Sequence, residues 1–334
     1  MSGELRISVV VPAYNAEGTI RDAIASIDVQ GVSDLEVIIV DDVSADATCD
    51  ILDAESAGRE NLTIIKRGAN GGPAAARNDG ISKARGEWIA FLDGDDAWLP
   101  GKLQAQLQLA DAHPDVDLWC GGVKQVSGRG KWVSEIGIRD STEIENLDSE
   151  ETSPDDTESR ISKLSNQQIP FREIPLEEFV NCNSVATSTV LVKREALERV
   201  GGFDTQFVGP EDYDLWMRLA VDHRLARIDA PLSRYRHVVG SLSMDERKFL
   251  PQVLRVLEKG FAEGGALHGF AHLRKAAISN QLWNASWMAF NRGARLSAIR
   301  YWAQSWAMNL QAERREPRKW ARLLFRYICG RRVQ

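Results

Sequence analysis

Apolar runs and stretches of helical period alternate along the first hundred residues. Residues 5–11 form a β-rich run closed by Pro12, with Tyr14 and Asn15 beyond it. Residues 18–30 carry Ile20, Ile24 and Ile27 at helical spacing. A second, mostly apolar run spans residues 35–40, interrupted by Glu36, and ends in Asp41-Asp42; a third strand is expected at 62–65. Gly71-Gly72-Pro73 punctuates the chain before a helix that starts near Ala74. The fourth run, Trp88-Ile89-Ala90-Phe91-Leu92, leads into Asp93-Gly94-Asp95-Asp96. Strands apolar on both faces, alternating with helices, predict a parallel sheet covered on both sides. Such sheets bind ligands beyond the carboxyl ends of their strands. Tyr14-Asn15, Asp41-Asp42 and the Asp93–Asp96 cluster all lie at such ends, so three strands deliver polar residues to one edge.

Further along, residues 188–192 predict a strand and 194–200 a short helix stopped by Gly201-Gly202. Glu211 opens another helix, with Leu215, Trp216 and Leu219 on its core face and acids at the dipole's positive end. From about Met244 the pattern is helical and rich in tryptophan. Trp283 and Trp287 share a face at i,i+4, as do Trp302 and Trp306, and these rings read as helix core. This divides the chain into residues 1–243 and a C-terminal helical region, 244–334. Two segments differ in kind. Residues 139–160 hold nine acidic residues among serines and threonines, and read as a mobile insertion: a lid, an acceptor-selecting loop, or a solvated loop without a role. Residues 313–334 carry eight Lys or Arg against two Glu, interleaved with Trp320, Leu323, Leu324, Phe325 and Tyr327. Basic aromatic segments of this kind settle on anionic membranes; packing on the acidic body or a partner subunit is the alternative.

Composition narrows the class. The 334 residues suffice for one large core plus an appendage, and 43% hydrophobic content is that of a globular protein. No apolar stretch is long enough to span a bilayer, and the N-terminus lacks the form of a secretory signal. Cys49, Cys120, Cys182 and Cys329 are scattered, which speaks for reduced thiols rather than a disulfide framework. The expected location is cytoplasmic, with peripheral contact at the inner membrane face through the basic tail. A net charge of −7 argues against general nucleic-acid binding.

The acidic cluster carries the chemistry. Three carboxylates in four residues repel one another, and a divalent cation relieves that repulsion. Hard oxygen ligands suit Mg2+ or Mn2+ rather than zinc, and Mg2+ commonly shares its shell with substrate phosphates. The cluster therefore points to an enzyme that holds a nucleotide by its diphosphate. Alone it would read as a solvated acidic turn, and Asp42 alone as a turn residue or helix cap. The convergence of strand ends reverses both readings. No Gly-x-Gly-x-x-Gly follows the first strand, which disfavours a dehydrogenase or methyltransferase. Trp98, just after the acids, reads as a packing residue rather than a sugar platform.

Seven motifs in order resemble family 2 glycosyltransferases over roughly residues 5–240. They are Val9-Val10-Val11-Pro12-Ala13-Tyr14-Asn15, the segment from Val40-Asp41-Asp42 to Thr48, Ala76-Arg77-Asn78-Asp79-Gly80, Phe91 to Asp96, Gly201-Gly202-Phe203-Asp204, Glu211 to Arg218, and Tyr235-Arg236-His237. The resemblance implies the GT-A fold, an α/β domain with a mainly parallel sheet, and sugar transfer from a nucleotide-sugar with inversion. It implies that Pro12 and Tyr14 line the base and ribose pocket and that Asp42 accepts from the imide nitrogen of uracil or thymine. Arg77 would approach the nucleotide, Asp93 would face the ribose, and Asp95 would ligate Mn2+ or Mg2+. His237 would be a second metal or diphosphate contact. Asp212 would be the general base, with Glu211 and Asp214 as alternatives. Inverting transfer is a single displacement, so one base and one metal are a minimal kit. One departure is Val43, where the family commonly shows glycine; it is expected to alter a turn rather than the chemistry. The expected function is metal-dependent transfer of a sugar, from a UDP-sugar, to a hydroxyl of a glycan or lipid-linked acceptor. The alternative is a non-catalytic carbohydrate-binding or scaffold protein on the same fold.

Overall fold

The computed structural model describes residues 5–126, 132–136, 169–236 and 245–308. The expected insertion at 139–160, the basic tail at 313–334 and His237 lie outside them. The described residues fall into two compact units, one within Met1–Pro175 and Ser184–Val239, the other within Leu176–Asn183 and Gly240–Gln334.

The first unit is built on a ten-stranded sheet. Its strands are β1 (Ile7–Ala13), β2 (Leu35–Asp41), β3 (Leu62–Lys66), β4 (Trp88–Phe91), β5 (Ala97–Trp98), β6 (Leu118–Val126), β7 (Trp132–Ile136), β8 (Phe171–Glu173), β9 (Leu191–Lys193) and β10 (Leu225–Arg236). The order is β3-β2-β1-β4-β9-β6-β10-β5, with β7 beside β6 and β8 beside β10. The first four strands are mutually parallel, and β6 and β10 run the same way. Antiparallel β9 separates the two groups. This is the expected mainly parallel sheet, with β5, β7, β8 and β9 as antiparallel additions. The mostly apolar sequences of β1, β2 and β4 follow from burial on both faces: every residue of β2 and β4 is buried, as is all of β1 but Pro12, and the buried Ser8 of β1 donates to Glu36 of β2 at 2.7 Å.

Helices α1 (Ile20–Asp28), α2 (Thr48–Ser56), α3 (Gly72–Lys83), α4 (Lys102–Ala112), α6 (Arg194–Val200) and α7 (Glu211–Asp222) complete this unit; α5 (Leu176–Asn181) belongs to the other. Gly80 of α3 sits so near β1 that a Cβ there would lie 2.5 Å from Val10 Cγ1. The glycine ending the Ala76–Gly80 motif thus serves close helix–sheet packing. In the same motif the Asn78 side chain donates to Phe203 O at 2.8 Å and accepts from Phe203 N at 2.9 Å. That double bond ties the Gly201–Asp204 motif to α3. Trp216 of α7 packs with Phe91 and Phe203, ring centroids 5.5–6.2 Å apart.

Two expectations are corrected. The strand expected at 188–192 is a 3-10 turn, Thr187–Thr189, followed by the shorter β9. Its hydroxyls bond outside the ladder: Ser188 Oγ to Asp96 and Thr189 Oγ1 to Ala186 O. In the second unit, α8 (Glu246–Phe261), α9 (Arg274–Asn291) and α10 (Arg295–Met308) do not bury their tryptophans as a core. Trp283, Trp287 and Trp302 are half-buried and Trp306 is 50% exposed. Small residues fill the α9–α10 contact instead. Ser305 Oγ donates to Ser279 O at 2.8 Å and Ser286 Oγ to Ala298 O at 2.9 Å, an approach too close to admit indole rings. No described helix is long and apolar enough to cross a membrane.

Candidate active site

The carboxyl ends of β1, β2 and β4 converge as expected. Their register pairs Ala13 with Asp41 and Val10 with Phe91. Backbone bonds extend past the strands: Asp42 N donates to Ala13 O at 2.9 Å and Gly94 N to Pro12 O at 3.2 Å. Gly94 is needed for this approach, since a Cβ there would lie 3.0 Å from Pro12 O. Pro12 thus abuts the acidic cluster through its carbonyl. Tyr14, next along, is 56% exposed, an aromatic face open to a ligand. Asn15 binds the following loop, its N–H on Ser44 Oγ at 2.9 Å and its Oδ1 accepting from Ala45 N at 2.8 Å.

Asp42 is buried and heavily bonded. It forms an ion pair with Arg67 and accepts from Gly71 N at 3.0 Å and Gly72 N at 2.7 Å. An imide contact would share the carboxylate with these donors. Val43 follows with φ +66, a left-handed conformation that a β-branched side chain rarely adopts.

Asp93, Asp95 and Asp96 occupy three environments. Asp93 is half-buried and pairs with Arg77 at 2.6 Å. Asp95 is pushed up to about 6 by burial and then by the Asp93 charge. Asp96 is fully buried; burial and its two acidic neighbours hold it well above the ordinary carboxylate range. It accepts from Ser188 Oγ at 2.6 Å and from the backbone N–H of Arg236 at 3.0 Å. Ser188 Oγ in turn accepts from Asp93 N at 3.1 Å, and Ser188 O accepts from Trp98 Nε1 at 2.7 Å. Trp98 is therefore a buried packing residue. Asp96 anchors the end of β10, one residue before His237.

Arg77 does not project toward the open edge. It is buried, with Nη2 on Asp93 at 2.6 Å and Nη1 on Glu211 at 2.9 Å. Burial alone would lower its pKa, but Asp93 and Glu211 outweigh that and raise it. Its guanidinium also lies 5.2 Å from the Phe203 ring centroid. Arg77 thus joins the acidic cluster to the head of α7, where three acids divide their work. Glu211 is committed to Arg77 and to Gly209 N, the latter at 2.8 Å. Asp214 is buried against Arg218 at 2.8 Å. Asp212 is half-buried, accepts from Thr187 Oγ1 at 3.3 Å, and lies within the electrostatic reach of Arg77.

Among the described residues no group of three His, Cys, Asp or Glu side chains is poised around a metal position. The fit of a divalent cation rests on Asp95 and Asp93. Their oxygen-only donor set suits Mg2+ or Mn2+, and a dication there would offset both the burial and the Asp93 repulsion that raise Asp95. Ser188, Thr187 and Arg67 were not identified from sequence, and Asp96 was seen there as a member of the acidic cluster without a role of its own. The Thr187-Ser188-Thr189 run carried a signal, three hydroxyls where a buried strand would be apolar.

The family model described as "Glycosyl transferase family 2" matches residues 8–201, more than half of the chain. The chain is 29% identical to "Amylovoran biosynthesis glycosyltransferase AmsB" of Erwinia amylovora, over 70% of this chain and 71% of that protein. It is 26% identical to "UDP-Glc:alpha-D-GlcNAc-diphosphoundecaprenol beta-1,3-glucosyltransferase WfgD" of Escherichia coli, over 75% of this chain and 85% of that one. Among solved structures it resembles S. aureus TarS 1-349 in complex with UDP-GlcNAc, with a TM-score of 0.60 at 19% identity, covering 90% of this chain and 79% of the other. That likeness extends to the fold, GT-A.

Proposed function

The chain belongs to glycosyl transferase family 2 and is a nucleotide-sugar glycosyltransferase, and from that premise we propose an inverting, metal-dependent transfer with Asp212 as general base. The observation that carries this is the division of labour at the head of α7. Glu211 is paired with buried Arg77 and Asp214 with partly buried Arg218, while the half-buried Asp212 carboxylate accepts from Tyr213 N at 2.6 Å and from the Thr187 hydroxyl at 3.3 Å.

The acceptor hydroxyl attacks the anomeric carbon as its proton passes to Asp212. The new carbon–oxygen bond forms on the face opposite the breaking bond to the diphosphate, so the configuration inverts. Asp95 with Asp93 would hold a divalent cation, Mn2+ or Mg2+, and the chemistry it would supply is charge neutralisation for the leaving diphosphate. In this reading Asp93 faces the ribose, Pro12 and Tyr14 line the base pocket, and Asp42 meets the base edge. Arg77 acts by orienting Asp93, and His237 is the second diphosphate or metal contact. The donor is a UDP-sugar, by analogy with the UDP-glucose named for the Escherichia coli relative and the UDP-GlcNAc bound to the structural neighbour. The acceptor is a hydroxyl of a glycan or lipid-linked saccharide, by the same analogy.

The test is Asp212→Asn. Donor hydrolysis and transfer should be lost while UDP and Mn2+ still raise the melting temperature as in the wild type. Retained turnover would remove Asp212 from the role of base.

A further inference from the structure

Helix α10 turns two unlike faces to its surroundings. Ala298 and Ser305, each 1% exposed, meet α9 through serine hydroxyl bonds. The opposite side carries Leu296, Ile299, Ala303 and Trp306, spaced i, i+3, i+7 and i+10 on one stripe. Leu296 is 85% exposed, Trp306 50% and Ile299 45%. The stripe runs about 15 Å along the helix and is flanked by Arg295 and Arg300, both exposed.

Charge says what this face would meet. No Asp or Glu occurs from Gly264 to Ala312, a stretch with five Lys or Arg. Residues 264–334 together hold thirteen Lys or Arg against two Glu, a charge of +11; residues 1–263 hold 28 against 46, a charge of −18. The segregation is sharp in a chain whose total is −7. An apolar stripe with tryptophan, framed by arginines and devoid of acids, has the chemistry of a helix lying in an anionic lipid interface. A second copy of the chain fits less well. Face-to-face pairing would oppose arginines from both copies with no acid on the helix to meet them, and a single-helix stripe is small beside what a stable dimer buries.

We propose that the outward face of α10, centred on Leu296, Ile299 and Trp306, is a docking surface for an anionic lipid bilayer. It acts by inserting apolar side chains at the headgroup boundary while Arg295 and Arg300 meet lipid phosphates. This role is separate from the basic tail and does not rest on the catalytic assignment.

The experiment is co-sedimentation of the full-length protein with vesicles of phosphatidylcholine alone or mixed with phosphatidylglycerol, at low and high salt. The wild type should bind the anionic vesicles, less so as salt rises. The triple variant Leu296→Ser, Ile299→Ser, Trp306→Ser should lose about tenfold or more of that partition while keeping donor hydrolysis in solution. Three results would overturn the proposal: equal partition of variant and wild type, no wild-type binding to anionic vesicles, or a variant that changes only from dimer to monomer in sedimentation velocity. A chain lacking residues 313–334 that no longer binds, beside a triple variant that still does, would assign binding to the tail and also overturn it. An Asp212→Asn protein that sediments normally but does not turn over keeps the two assignments distinguishable.

Discussion

Arg77 and Glu211, 134 positions apart in sequence, meet at 2.9 Å with both side chains 5% exposed. The pair couples the acidic cluster after β4 to the head of α7. It also explains why two adjacent acids there should respond differently to substitution. Glu211→Gln leaves a buried guanidinium with Asp93 as its remaining carboxylate, and should cost about 3 kcal/mol of stability. Asp212→Asn should change stability by less than about 0.5 kcal/mol and lower kcat by about a hundredfold to ten-thousandfold. Denaturant melts beside donor-hydrolysis rates decide the matter. If Asp212→Asn unfolds the protein and Glu211→Gln removes only turnover, the roles are reversed.

The pH dependence should follow Asp95. In the folded chain its carboxyl holds a proton up to about 6, whereas an unfolded aspartate titrates at about 3.9. Between those values the native state binds more protons, so this group's contribution to stability falls as pH rises through the window. Asp96, raised in the same direction, adds to the slope. Glu36 and Asp117 are shifted down, and their contributions are lost only at more acidic pH. Metal-free protein should therefore melt at higher temperature at pH 5 than at pH 7. Mn2+ should stabilise it at pH 7 and progressively less as protons compete below about pH 6. Asp95→Asn should flatten the first trend and remove the second. An unchanged slope in that variant would clear Asp95 of both effects.

Val43 explains a departure from the family pattern. The residue holds φ +66 just after Asp42, and is 41% exposed. Left-handed valine carries about 1–3 kcal/mol of strain, part of which glycine would return as greater freedom of the unfolded chain. Val43→Gly should thus be net stabilising by about 1 kcal/mol, a rise of about 2 °C in melting temperature for a chain of this size. Little buried surface is lost. A fall in melting temperature would mean that the valine side chain holds the loop in a way its exposure does not suggest.

Much of this was readable in the chain. The strands β1, β2 and β4 declared themselves because burial on both faces leaves them mostly apolar, with Ser8 and Glu36 bonded to each other as the exception, and their polar termini therefore marked the site edge. The helix at Glu211 was legible from its acids and the spacing of Leu215, Trp216 and Leu219. Long-range pairings were not. That Arg77 would be spent on Glu211, or Asp42 on Arg67, depends on contacts between residues 134 and 25 positions apart, which no local period encodes. The tryptophans misled because i,i+4 spacing fixes a shared face but not what covers it. In α9 and α10 serines and alanines took the interior, and the indoles were left at its rim.

Ser188 is the most economical test of how the acidic cluster is held. Its hydroxyl donates to Asp96 at 2.6 Å and accepts from the Asp93 amide at 3.1 Å, with Ser188 and Asp96 buried and Asp93 half-buried. The turn that carries it also brings Thr187 to Asp212. Ser188→Ala removes one donor from a buried carboxyl and one acceptor from a backbone amide, a loss of about 1–3 kcal/mol. The catalytic consequence should exceed the folding one. Asp96 released from Ser188 would also loosen its hold on Arg236 N, and with it the end of β10 that leads to His237. The variant should therefore show weaker Mn2+-dependent stabilisation by UDP and a raised donor KM, with Asp212-dependent chemistry intact at saturation. Ser188→Thr, which keeps the hydroxyl, should restore most of the donor affinity. If alanine lowers stability alone and leaves KM unchanged, Ser188 supports the fold without positioning the donor site.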